Sequence, residues 1–109
     1  MARLGVDFGT SNTGAGVLAG GLPYAIPLET GEQTLPSAVF VDFAERRYLY
    51  GTAAARAMME GAEGRFMRAL KSILGTPLAR EKRRILNEQL TLIDVIARFL
   101  AEIKTRSEA

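Results

Sequence analysis

The sequence predicts an α/β fold, strands first and helices after, and three observations predict it. Residues 1–51 are short apolar, β-branched or aromatic runs cut by turn residues such as Gly20-Gly21, Thr30-Gly31 and Gly51. Residues 52–109 change character, and apolar residues there recur at helical spacing between Gly61, Gly75 and Thr91. The chain of 109 residues is 48% hydrophobic and 24% charged, enough for one cored unit.

The elements follow in order. "RLGVDF" (3–8) is short and apolar and reads as a strand. "TGAGVLAG" (13–20) follows after a tight turn, and Gly20-Gly21 marks the next one. "LPYAIPLE" (22–29) is extended, and Pro23 and Pro27 suit an edge strand because proline donates no ladder hydrogen bond. "TGEQT" (30–34) is a polar loop. "SAVFVDF" (37–43) alternates, with Val39, Val41 and Phe43 on one face and Ala38 and Phe40 on the other. "RYLYG" (47–51) ends at a glycine, with Tyr48 and Tyr50 sharing a face as packing residues.

The second half reads as helices. "GTAAARAMMEG" (51–61) has Thr52 as its N-cap and Gly61 as its stop. "RFMRALKSILG" (65–75) places Phe66, Leu70, Ile73 and Leu74 on one helical stripe, closed by Gly75. Met58, Met59 and Met67 are expected to fill core gaps. Residues 76–90 carry the basic cluster "REKRR" and then "ILNEQLTL", which suits either a strand or a frayed helix. The last helix has the clearest pattern. Thr91 and Asp94 form a capping-box pair with aspartate in place of glutamate. Leu92, Ile96, Phe99 and Ile103 make its apolar stripe, reinforced by Ile93 and Leu100, and Asp94, Arg98, Glu102 and Arg106 run along the other side with alternating sign.

Composition removes several chemistries. There is no cysteine, so disulfides and thiolate metal sites are excluded. There is no histidine, which removes the commonest general base and imidazole metal ligand. A metal here would be a hard cation on oxygen, magnesium beside phosphate above all. No apolar run approaches the ~20 residues of a membrane span. The opening "MARLGVDFG" lacks the apolar stretch and cleavage site of a secretory signal, so the cytoplasm is the expected compartment. Residues 1–43 hold one basic residue and four acids, and residues 44–109 hold thirteen basic and eight acidic ones. The cluster of Arg80, Lys82, Arg83 and Arg84 lacks interleaved aromatics, so a solvated face is the better reading than a nucleic-acid patch.

The stretch "GVDFGTSNTGAG" (5–16) is poor core material. Gly9 lets the main chain approach a ligand closely, and Thr10, Ser11, Asn12 and Thr13 add short polar groups beside exposed amides. Asp7 ends the strand, where a carboxylate suits magnesium held through water. Neither G-x-x-x-x-G-K-[ST] nor G-x-G-x-x-G is present. The same residue types build ordinary turns, so the spacing leaves a phosphate nest and a structural hairpin both open.

"GVDFGTSNT" resembles the first phosphate loop of the actin-like ATPase superfamily. Three further stretches, "TLPSAVFV" (34–41), "YGTAA" (50–54) and "ALKSILG" (69–75), are similar in order and spacing to the DnaK-type heat-shock chaperones, and the wording of the last looks like their divergent YegD-like branch. The resemblance covers residues 3–75 and, more loosely, the helix from 91. It implies an actin-like ATPase (ribonuclease H-like) fold, incomplete: an N-terminal mixed β-sheet with hairpins followed by helices. Residues 1–109 would be a single piece of the first lobe, 1–51 mostly strands and 52–109 mostly helices.

The resemblance also implies roles, in a parent that binds and hydrolyses ATP with Mg²⁺. Asp7 would hold magnesium through water, Gly9, Thr10, Ser11 and Asn12 would surround the β- and γ-phosphates of ATP or ADP, and Lys71 would reach the γ-phosphate and orient the attacking water. Such hydrolysis is positioning and charge stabilisation, which a lysine and a metal supply without histidine. Lys71, between Leu70 and Leu74, sits at the border of the expected helical stripe, where a lysine stem packs; Ser72 follows where the family usually has a basic residue. The family's second phosphate loop, adenosine segment, later carboxylates and peptide-binding domain have no counterpart here, so little or no ATPase activity is expected of this chain alone. Expected partners are nucleotide and, for the parent, client polypeptides or co-chaperones; an open edge strand leaves room for a homodimer. Two other classes compete: another actin-like member, either a sugar kinase or a filament-forming protein, and a non-catalytic interaction module that keeps the hairpin as structure.

Overall fold

The computed structural model describes residues 3–108. Strands β1 (Leu4–Phe8), β2 (Asn12–Ala19), β3 (Leu22–Ile26) and β4 (Thr34–Pro36) form a first sheet centred on β2. β1 lies along one side of β2; β3 and β4 share its other side, opposite residues 15–19 and 12–14 respectively. β3 therefore tolerates Pro23 at an edge, as its sequence predicts. β5 (Ala38–Asp42) is the centre of a second sheet, between β6 (Arg47–Tyr50) and β7 (Gly64–Arg68). β8 (Arg83–Ile85) and β9 (Glu88–Leu90) make a small hairpin whose two turn residues, Leu86 and Asn87, have positive φ, the geometry that matches the twist of paired strands. Helix α1 (Thr52–Met59) follows β6, and α2 (Leu92–Glu108) closes the chain.

β5 is buried on both faces. Val39 and Val41 join a core with Leu35, Met67, Leu70, Ile85 and the α2 residues Leu92, Val95, Ile96, Phe99 and Ile103. Ala38 and Phe40 point the other way, to Ala54 and Ala57 of α1 and to Leu49 and Phe66. The alternation read from the sequence therefore sorts β5 between two layers. Phe43 is the exception: it is 51% exposed, because the strand ends at Asp42. The Asp42 carboxylate accepts the N–H groups of Ala44 (3.0 Å) and Glu45 (3.1 Å) and turns the chain away. Tyr48 and Tyr50 stack at 6.4 Å, Tyr50 meets Phe99 at 6.3 Å, and the Arg98 guanidinium lies 4.7 Å above Tyr48.

Every strand pairing among the described residues is antiparallel, because hairpins and antiparallel returns connect the strands, whereas a parallel pair needs a crossover. Three expectations are corrected. The expected helix over 65–75 is strand β7, then a left-handed Ala69 (φ 54°), then a 3₁₀ turn over Leu70–Ile73. Pairing with β5, Met67 opposite Val39 and Phe66 opposite Phe40, overrides the helical period. Residues 52–109 accordingly hold three strands as well as helices. Met58 and Met59 are exposed, and of these three methionines only Met67 fills the core. Ile93 and Leu100 are 41% and 36% exposed, so the α2 stripe is narrower than expected, with Val95 as its missing member.

Both helix starts are capped. The Asp94 N–H donates to the Thr91 hydroxyl (3.1 Å) and the Thr91 N–H to the Asp94 carboxylate (2.9 Å), the expected reciprocal pair. The Thr91 N–H, and then the Thr91 hydroxyl, hold the Asp94 carboxyl below its ordinary 3.8. At α1 the N-cap position is Gly51, and Thr52 is the first helical residue rather than the cap. Glu29 caps from afar: one carboxylate oxygen takes the Thr52 N–H (3.0 Å), the other the Thr52 hydroxyl (2.6 Å). Arg106 of α2 lies 3.6 Å from the same carboxylate and also pairs with Glu102 at 2.8 Å.

Candidate functional site

The site is built on the β1–β2 hairpin. Phe8, last in β1, turns inward and packs on Phe99 with ring centroids 5.8 Å apart. That contact anchors the end of the strand. Alternation then puts Asp7 on the opposite face of the sheet, where it is exposed and stands opposite Gly14. The turn is closed by the Gly9 N–H donating to the Asn12 carbonyl at 3.0 Å. A Cβ at position 9 would lie 2.6 Å from that carbonyl oxygen, so only glycine fits this turn.

Thr10 and Ser11 occupy the tip and are exposed. The Ser11 carbonyl accepts the Ser37 N–H at 2.9 Å, and the buried Thr13 hydroxyl lies 2.7 Å from the Ser37 hydroxyl. These two links pin the turn to the start of β5. Among the described residues, the Thr10 and Ser11 N–H groups donate to no protein acceptor. The turn is thus held rigid through its carbonyls while two adjacent amides remain unspent. Such amides are what an anion needs.

A cleft of about 230 Å³ opens at the tip. It brings Thr10 and Ser11 against Ser37, Ala55 of α1, and Phe66, Arg68 and Ala69 of the 64–75 segment. The sequence-predicted residues thus sort into three places. Gly9, Thr10, Ser11 and Asn12 form one turn, Asp7 lies two residues before it on β1, and Lys71 lies exposed on the 3₁₀ turn beyond Ala69. Lys71 follows buried Leu70, but Leu74 is 45% exposed, so its surroundings are not the helical stripe the spacing suggests. Arg68 lines the cleft and was not singled out by the sequence. The strand parity of "RFMR", once β7 is known to pair with β5, is the signal that finds it.

Asp7 offers an exposed carboxylate, the donor type that magnesium takes through water. Among the described residues there is no cluster of three or more metal-ligating side chains, so a protein cage of the calcium or zinc type is not what this face offers. Among the described residues no helix is long and apolar enough to cross a membrane.

Two antiparallel sheets, a hairpin with an open polar tip and the interposed helix α1 are the opening portion of an actin-like ATPase fold. The family model described as Hsp70 protein matches residues 3–98, and the chain belongs to the Hsp70 family. It is similar to the chaperone protein DnaK of Ureaplasma urealyticum serovar 10, 31% identical over 105 residues, and to that of Ureaplasma parvum serovar 3, 30% identical over 105 residues. Each alignment covers 96% of this chain and 16% of the relative, so the chain spans about a sixth of the length of the curated relatives it matches.

Proposed function

We propose that this chain carries the first phosphate grip of a DnaK-type chaperone ATPase. Gly9, Thr10, Ser11 and Asn12 surround the β- and γ-phosphates of ATP or ADP, Asp7 holds Mg²⁺ through water, and Lys71 reaches the terminal phosphate and orients the attacking water. Magnesium supplies charge neutralisation of the phosphate tail when bound. The chain's own residues do the rest: the amides of the turn bind oxygens, and the rigid hairpin fixes their direction before a ligand arrives. The observation that carries the reading is the pair of unspent amides at Thr10 and Ser11, on a turn held by its own carbonyls. Client polypeptides or co-chaperones are partners of the whole protein on this reading, and the cytoplasm is its compartment.

The test uses the isotopically labelled chain and Mg²⁺ with tripolyphosphate or ATP. Amide shifts centred on residues 9–12 are expected, with their magnesium dependence lost in Asp7→Ala and their affinity lowered in Lys71→Ala. Steady ATP turnover by the chain alone is expected to be negligible. Shifts spread over the basic 80–84 segment, with none at the turn, would favour the hairpin as structure only.

A further inference from the structure

The cleft at the hairpin tip contains a cation that the reading above does not use. Arg68 stands opposite Ala38 in the β5–β7 ladder, on the face shared with Phe40 and Phe66. It lines the cleft together with Thr10 and Ser11. Among the described residues, Arg68 makes no ion pair and donates no side-chain hydrogen bond, whereas Arg83, Arg98 and Arg106 each have a carboxylate partner. Among the described residues no carboxylate lines the cleft, and Ala38, Ala55 and Phe66 make part of its wall apolar. Thr10 and Ser11, with two unspent amides, and Arg68, with an unspent guanidinium, therefore line one small, partly apolar space. The ligand chemistry that satisfies both is an anion with several oxygens. A planar five-donor fork matches phosphate in bidentate fashion, which a lysine does not reproduce.

We infer that Arg68 is a second cationic contact for the terminal phosphate, lining the same cleft as the Thr10–Ser11 turn and separate from Lys71. The inference rests on the reading of that turn as a phosphate grip. Arg68 is exposed at the end of β7, so its replacement leaves the core intact.

The experiment titrates the chain with tripolyphosphate and, separately, with Mg²⁺·ATP at one fixed ionic strength, following the amides of residues 9–12. Arg68→Gln is expected to weaken both ligands about tenfold, the scale of a charge-assisted contact, and Arg68→Lys to recover only part of the loss. Arg84→Gln, a cation on strand β8, is expected to change neither. Equal weakening by Arg84→Gln would mean diffuse charge and overturn the inference, as would a loss seen with ATP and not with tripolyphosphate, which would put Arg68 on the nucleoside. Wild-type binding at the turn that Arg68→Gln leaves unchanged sinks Arg68 and spares the grip. No binding at the turn by the wild type sinks both.

Discussion

Helices α1 and α2 each begin under a carboxylate, but the two carboxylates come from different distances. Asp94 is three residues from Thr91, and the pair closes on itself. Glu29 is 23 residues from Thr52 and belongs to the loop after β3. The local cap specifies one helix end and nothing else. The remote cap fastens a loop, the start of α1 and, through Arg106, the last turns of α2. The same division holds between α2, whose period and cap are self-contained, and β7, which exists because β5 lies beside it. Long-range contacts here decide which local preference wins, and their loss should spread further than the loss of local ones.

The largest effect should come from the long-range ladder. Gly64 faces Asp42 across the β5–β7 pair, and a Cβ there would lie 2.1 Å from the Val41 carbonyl oxygen and 2.5 Å from the Phe40 ring. Neither a central-strand carbonyl nor a ring 2% exposed has room to withdraw. Gly64→Ala should therefore destabilise the chain by about 3 kcal/mol, the upper part of the usual range for overpacking. Chemical denaturation measures it. A loss below about 1 kcal/mol would mean that β7 is not held against β5 as described.

Next come the two caps. Glu29→Ala removes two hydrogen bonds to Thr52 and one neighbour of Arg106, on side chains 17% and 24% exposed. Arg106 keeps Glu102, so the cost stays near about 2 kcal/mol, the top of the range for losing a cap. Thr91→Ala removes the exposed hydroxyl that accepts the Asp94 N–H and should cost about 1 kcal/mol. The sharper discriminator is where protection is lost in hydrogen exchange. Glu29→Ala should loosen α1 and the C-terminal turns of α2 together, and Thr91→Ala only the first turn of α2. Identical exchange patterns would remove the distinction between the caps.

The same distinction explains what could be read from the sequence. The turn between β1 and β2 was legible because its signals are local: Gly9 and the short polar residues after it are consecutive. The α2 cap and four of its five buried residues were legible for the same reason. "RFMRALKSILG" misled because its apolar spacing satisfies a helix, while nothing inside it announces that Phe66 and Met67 meet Phe40 and Val39. Ala69 hides the switch further, since alanine is a strong helix former and here sits in a left-handed conformation. Arg68 was missed with it, because a residue's place at a cleft is unreadable while its element is misassigned. Glu29 carried no signal at all: a carboxylate after a strand looks like any solvated acid until α1 is seen to start beside it.

The smallest effect is a pH dependence confined to the local cap. The Thr91 N–H, and then its hydroxyl, bond the ionised Asp94 carboxylate and hold its titration below the ordinary 3.8. A depressed carboxyl contributes stability above the unfolded-state value and loses it as pH falls through the folded one. The advantage of the wild type over Asp94→Asn should thus be full near neutral pH, begin to shrink below about pH 4 and disappear at lower pH. Melting curves of the two proteins, taken from about pH 7 down to pH 2, measure the difference directly. Because Asp94 is wholly exposed, salt should reduce the Coulombic contributions of Arg98 and Lys82 and leave the hydrogen-bond part. A gap between wild type and variant that widens on acidification would contradict the capping box, since a protonated Asp94 has no charge left with which to hold the helix end.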